Sequence, residues 1–204
     1  RINRRQRQMC IRDRIKFGFV RGPVWNFGDE DMKHGIEEFV KNEQLDIEEL
    51  DLGKDFDDAA KAHEIIMNGS IANSLMNYYQ IDKSNLHPFT VKRIEAGIPV
   101  SASDYVSAIE QAKKMEQILK QFFKKYDAII TPAAPGQAPR DLMNTGNAIF
   151  NGYWTMMGVP AISLPFLKGK DDLPIGIQFI ANWSEDLKLL EICKYILKIE
   201  KLAN

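Results

Sequence analysis

The sequence holds 204 residues, 45% of them hydrophobic and 27% charged, which is the balance of an ordinary globular chain and excludes a fibrous, disordered or low-complexity protein. That length suffices for one sizeable core, so one domain is expected over residues 15–204. No apolar run approaches the roughly 18 residues that a membrane-spanning helix needs, and the basic start lacks a signal peptide's apolar stretch, so the expected location is cytoplasmic, with no membrane partner.

Charge separates the first segment from the rest. Residues 1–14 hold six arginines (Arg1, Arg4, Arg5, Arg7, Arg12, Arg14) against one acid, Asp13, leaving by difference 21 bases and 27 acids in a Lys-rich body. Met9 to Arg14 resembles translated sequencing-adapter read-through, and we read residues 1–14 as a non-native basic head. A nucleic-acid arm or a transit peptide is the competing reading of such an arginine cluster. Nucleic acid is not expected as a partner of the body.

Ile15 to Val20 reads as a buried strand that stops at the turn Arg21-Gly22-Pro23. A helix follows, with Asp29 and Glu30 as first-turn acids and Met32, Ile36, Phe39 and Val40 on one face. Leu45 to Leu52 approximates the alternation of a second strand, and the strand-helix-strand order implies a right-handed crossover and a partly parallel sheet. From Asp55 to about Tyr79 a helix is expected on a stripe of Phe56, Ala60, His63, Ile66, Met67 and Ile71. Pro88 opens a short helix that Gly97 is expected to end in a left-handed turn. Ser101-x-x-Asp104 looks like a capping box at the start of a helix running to about Lys125.

Ala128 to Thr131 reads as a fully buried strand. Pro132 to Gly146 has no period of any kind, and length without structure hints at function. Asn147 to Met157 is expected to be a helix capped by Gly158. Ala161–Leu164 and Ile175–Ala181 should form a hairpin. Ser184 is expected to cap a last helix whose stripe comprises Leu187, Leu190, Ile192, Ile196 and Leu197. No internal repeat is present.

Residue chemistry alone assembles no catalytic set. His34, His63 and His87 lie on separate elements without a second ligand at helical spacing, so no metal site is expected, and the glycines form no phosphate loop, so no cofactor is expected. Ser101, Ser103, Ser163 and Cys193 read as caps or packing residues, and there is no G-x-S-x-G elbow. Glu37-Glu38 and Asp57-Asp58 are adjacent on helices and diverge into solvent. Cys10 and Cys193, far apart, read as reduced structural thiols.

Several blocks in order carry a resemblance. Tyr126 to Gly136 (YDAIITPAAPG), Thr145-Gly146-Asn147, Phe150-Asn151, Trp154-Thr155, Gly158 to Ile162 (GVPAI), Leu173 to Ile180 (LPIGIQFI), Glu185-Asp186 with Leu189-Leu190, and Phe17 to Arg21 (FGFVR) resemble the amidase signature family, from about Ile15 to the last helix. The resemblance implies an α/β fold: a partial mixed sheet flanked by helices, matching the family's C-terminal part. It implies hydrolysis of a carboxylic acid amide to acid and ammonia or amine, through a serine nucleophile, a bridging serine and a lysine base. Those three belong to upstream segments with no counterpart here, so no catalytic residue is assigned. Losing such a set costs on the order of 10⁶ in rate, about 8 kcal/mol of barrier, and the chain alone is expected to be inert.

What the resemblance carries over is a pocket wall: Thr131, Thr145, Asn147, Phe150, Asn151 and Trp154, with a small-molecule amide as ligand. The Pro135-Gly136 and Asn144-Thr145-Gly146 blocks look more like general amidases than the subunit of the tRNA-dependent amidotransferase. Two readings follow: the distal part of an amidase whose other half is its missing partner, or a natural non-catalytic binding module or split subunit. The first predicts uncovered strand edges and poor solubility. A homodimer stays open.

Overall fold

A computed structural model of the chain describes residues 15–141 and 144–203; the basic head and Cys10 lie outside them. The strands are β1 (Lys16–Phe19), β2 (Asp46–Glu49), β3 (Ala128–Pro132), β4 (Ala161–Lys168) and β5 (Pro174–Ile180). The helices are α1 (Glu30–Phe39), α2 (Ala59–Asp82), α3 (Pro88–Gly97), α4 (Ala102–Phe122), α5 (Gly152–Met157) and α6 (Asp186–Ala203). The sheet order is β2-β1-β3-β5-β4. It is mixed, as expected: β1 runs parallel to β2 and β3, whereas β5 is antiparallel to β3 and β4.

The order follows from burial demand. All five residues of β3 are buried, and a strand without a polar face must sit in the sheet's middle. β2 carries Asp46, Glu48 and Glu49 and takes an edge, where charge discourages further pairing. β4 takes the other edge, and its register with β5 shifts between Leu164 and Leu167. Pro165 falls at that irregularity, where its missing N–H interrupts no ladder bond. Phe39 of α1 stacks on Phe166 at 5.5 Å and meets Phe179 edge-on at 6.4 Å, while Phe17 meets Phe179 at 6.4 Å. This cluster docks α1 on one sheet face, each ring contributing roughly 1.5–3 kcal/mol by burial.

Several helix expectations need correction. Asp29 is the N-cap of α1 rather than a first-turn residue, its carboxylate accepting from Met32 N. The helix expected from Asn147 starts only at Gly152, because Asn147 Oδ1 accepts from Ile149 N at 3.0 Å and folds a local Asx turn. Gly97 remains helical and is absent from the positive-φ residues. Its value is space, since a Cβ there would lie 2.0 Å from the Asn68 carbonyl oxygen on α2.

The stripe on α2 is also different: its buried positions are Ala59, Ala62, Asn68 and Ala72, while Ile66 and Met67 are only partly buried. α2 packs against α3, α4 and α5, and such close crossings favour small side chains. On α6, Leu189, Ile192, Cys193 and Ile196 form the buried face, leaving Leu187 80% exposed. Ser184 sits at φ 62°, and Glu185, whose carbonyl accepts from Leu189 N at 2.9 Å, opens that helix instead. Ser101 does cap α4, accepting from Asp104 N at 3.0 Å and donating to its carboxylate at 2.7 Å.

Candidate functional site

The C-terminal end of β3 opens into the irregular segment that the sequence singled out. Thr131 there is in register with Gln178 of β5, and Gln178 with Ser163 of β4. Alternation puts this polar row on one sheet face and the apolar row Ile130, Phe179 and Ile162 on the other. Ala133 N donates to Gly176 O at 3.1 Å, extending the pairing one residue past β3. The chain then leaves the sheet and encloses a cleft of about 780 Å³ against β4 and β5.

Local hydrogen bonds shape the wall. Asn144 Oδ1 accepts from Gly146 N at 2.9 Å, and Gly146 takes φ 84°, which glycine reaches without strain. Asn151 Nδ2 donates to Ala133 O at 3.0 Å, tying the turn before α5 to the end of β3. On the outer side Asp29 N donates to Pro135 O at 2.8 Å. Gly136 lies against the Asp29 carboxylate so closely that any Cβ there would collide with it. The Gln137 amide donates to Asp171 in the β4–β5 turn and accepts from Asp171 N at 3.2 Å, and Arg140 pairs with the same carboxylate. Together Gln137 and then Arg140 hold the Asp171 carboxyl below its ordinary range.

The six residues carried over from the resemblance divide into two layers. Thr145, Asn147 and Asn151 line the cleft. Thr131, Phe150 and Trp154 are buried, at 0%, 0% and 1% exposure, and do not line it. Thr131 Oγ1, Trp154 Nε1 and Tyr153 Oη are buried without hydrogen-bond partners. Burial pushes the Tyr153 phenol well above its ordinary value; the neighbouring Thr131 and Trp154 side chains oppose the shift, although neither achieves hydrogen-bond geometry. Asp29, Gln137, Ser163 and Gln178 also line the cleft, and residue-by-residue reading did not select them for it. Ser163, read as a packing residue, is one of its wall hydroxyls.

Other features offer less chemistry. A cleft of about 770 Å³ between α2 and the α3–α4 junction is lined mainly by small side chains with the Ser70–Tyr105 hydroxyl pair at 3.0 Å. Among the described residues no three His, Cys, Asp or Glu side chains come together as a metal site, and no helix is long and apolar enough to cross a membrane. Cys193 is free and buried, and desolvation pushes its thiol up to about 11.

Fold and cleft together define an α/β chain with a small-molecule-sized cleft of mixed polar and apolar lining where a central strand ends, a usual place for binding in such sheets. The family model described as Amidase matches residues 13–190. The chain belongs to the amidase family. It is 36% identical over 124 residues to a glutamyl-tRNA(Gln) amidotransferase subunit from Aliarcobacter butzleri (strain RM4018), covering 55% of this chain and 27% of that protein. It is 33% identical over 117 residues to a fatty acid amide hydrolase of Medicago truncatula, covering 51% and 19%. An amidase crystal structure superimposes with TM-score 0.76 at 17% identity, covering 87% of this chain and 44% of that one. A 6-aminohexanoate cyclic dimer hydrolase solved with substrate gives 0.66 at 18% identity, covering 86% and 43%. The chain thus spans less than half the length of these solved structures and under a third of these curated relatives.

Proposed function

We propose that this chain forms one wall of the substrate cleft of an amidase that converts a carboxamide to its acid and ammonia or an amine, and that the nucleophile and base come from outside these 204 residues. The single observation that carries the reading is the cleft at the end of β3, with Thr145, Asn147 and Asn151 on one side and Ser163 and Gln178 on the other. Amide and hydroxyl side chains match both the carbonyl acceptor and the N–H donors of a carboxamide. Nucleophilic hydrolysis needs a hydroxyl with a base to take its proton. Among the described residues neither lysine nor histidine lines the cleft beside Ser163 and Thr145, so on this reading the wall holds an amide without cleaving it. Thr131, Phe150 and Trp154 support that wall from beneath.

Two measurements on the purified chain test this. Titration calorimetry with benzamide and propionamide should show saturable binding, and coupled detection of ammonia should show no turnover of either. Turnover that tracks the chain through purification would overturn the assignment of the reacting groups to other chain segments. Failure of both amides to bind would overturn the wall itself.

A further inference from the structure

The charge of the cleft is one-sided. Among its described lining residues Asp29 is the only ionisable side chain, and no lysine, arginine or histidine faces the space. Asp29 is held in place by three contacts: its N–H donates to Pro135 O at 2.8 Å, its Oδ1 accepts from Met32 N at 2.9 Å, and its other oxygen abuts Gly136. Its carboxylate makes no ion pair among the described residues, although its residue is exposed. Nearby cations are already matched, Arg140 with Asp171, Lys168 with Asp172 and Lys33 with Glu30. Lys170 lies in the same turn as Asp171 and acts on that carboxylate.

The remaining polar surface is neutral. The side-chain carbonyls of Asn144 and Asn147 are occupied by Gly146 N and Ile149 N, so their NH₂ groups are the donors left for a ligand. A ligand carboxylate entering this cleft would lose water, find no cation and meet the field of Asp29, whereas a neutral amide would meet matched donors and acceptors.

Resting on the reading of this cleft as an amide site, we infer that it takes uncharged or cationic amides and discriminates against carboxylate-bearing ones, with Asp29 as the specificity-determining residue. The Asp29 carboxylate, which makes no ion pair among the described residues, and the absence of a cation among the described lining residues act in the same direction.

Three probes of one shape separate charge from fit: benzamide (neutral), benzoate (anionic) and benzamidine (cationic), titrated into the purified chain by calorimetry at pH 7.5 and low salt. Benzoate should bind at least about tenfold more weakly than benzamide, and benzamidine at least as well as benzamide, with the gap narrowing at high salt. Asp29→Asn removes the charge yet keeps a good helix cap, so it should fold, as melting by circular dichroism will show. In that variant benzoate should come within about threefold of benzamide and benzamidine should lose any advantage. Equal binding of benzoate and benzamide to the unaltered chain, or an unchanged ratio in Asp29→Asn, would overturn the charge selection alone. No binding by any probe would remove the amide cleft and this inference with it.

Discussion

Beneath the cleft, Thr131 presents an energetic anomaly at the scale of a single residue. A buried hydroxyl without a partner costs about 1–3 kcal/mol, and Thr131 Oγ1 is such a group, with Tyr153 Oη and Trp154 Nε1 in the same condition beside it. The three polar groups neighbour one another without reaching hydrogen-bond geometry, so the desolvation of the Thr131 hydroxyl is not offset. Thr131→Val keeps the shape and removes the hydroxyl. The variant should be more stable by about 1 kcal/mol, read as a higher urea midpoint at unchanged slope. A lowered midpoint would mean that the hydroxyl has a partner in solution.

Among the elements, α2 and α3 meet closely at Gly97. Replacing a helical glycine with alanine ordinarily gains about 1 kcal/mol of helix propensity. At Gly97 the new methyl would lie 2.0 Å from the Asn68 carbonyl oxygen, a backbone atom that cannot rotate away. Overpacking of that kind costs about 1–3 kcal/mol, and separating two helices places this site at the upper end. Gly97→Ala should therefore lower the urea midpoint, with a net loss of about 1–2 kcal/mol; a raised midpoint would show that the crossing relaxes freely. Sequence periodicity cannot see this constraint, because it comes from a helix 25 or more positions away. For the same reason α2 was legible as a helix while its buried face was not: large residues suggested a stripe, but the tight contacts select alanines. Elements whose signal is local read well. β3 announces itself by an unbroken apolar run ending at Pro132, α4 by the Ser101 cap, and the β4–β5 hairpin by paired apolar runs. The stretch from Asn147 to Asn151 misled because an asparagine side chain competed with helix formation.

At the scale of the whole molecule, the cleft is assembled from parts that are far apart in sequence, which explains what could be read of it. Thr145, Asn147 and Asn151 were legible because they lie in neighbouring blocks, at the end of the aperiodic segment and in the helix expected after it, that resemble a family. Asp29, Ser163 and Gln178 reach the same space through α1, β4 and β5; only Gln178 lies in a block that carries the resemblance, and no local signal marks any of the three as a wall residue. Binding these parts is a polar clasp. Asp171 receives Gln137 and Arg140 from the cleft segment, and the neighbouring Lys170 N donates to Asp31 of α1 at 2.7 Å. The Asp171 carboxyl is held below its ordinary range, so its contribution is present above the unfolded value of about 4 and is lost only as pH falls through the lower folded one. The clasp is therefore closed at pH 8, where trypsin can probe it. Arg140 is itself a cleavage site, and its engagement with Asp171 restrains the backbone that trypsin must extend. Removing the carboxylate in Asp171→Ala should speed cleavage after Arg140 by roughly fivefold or more, since local opening sets the rate, with fragments followed by mass spectrometry. Glu191→Ala, which breaks the Lys194 pair on α6, should leave that cleavage unchanged. Equal rates in all three chains would mean that Pro135 and Asn151, through their bonds to Asp29 and Ala133, hold the wall without the hairpin.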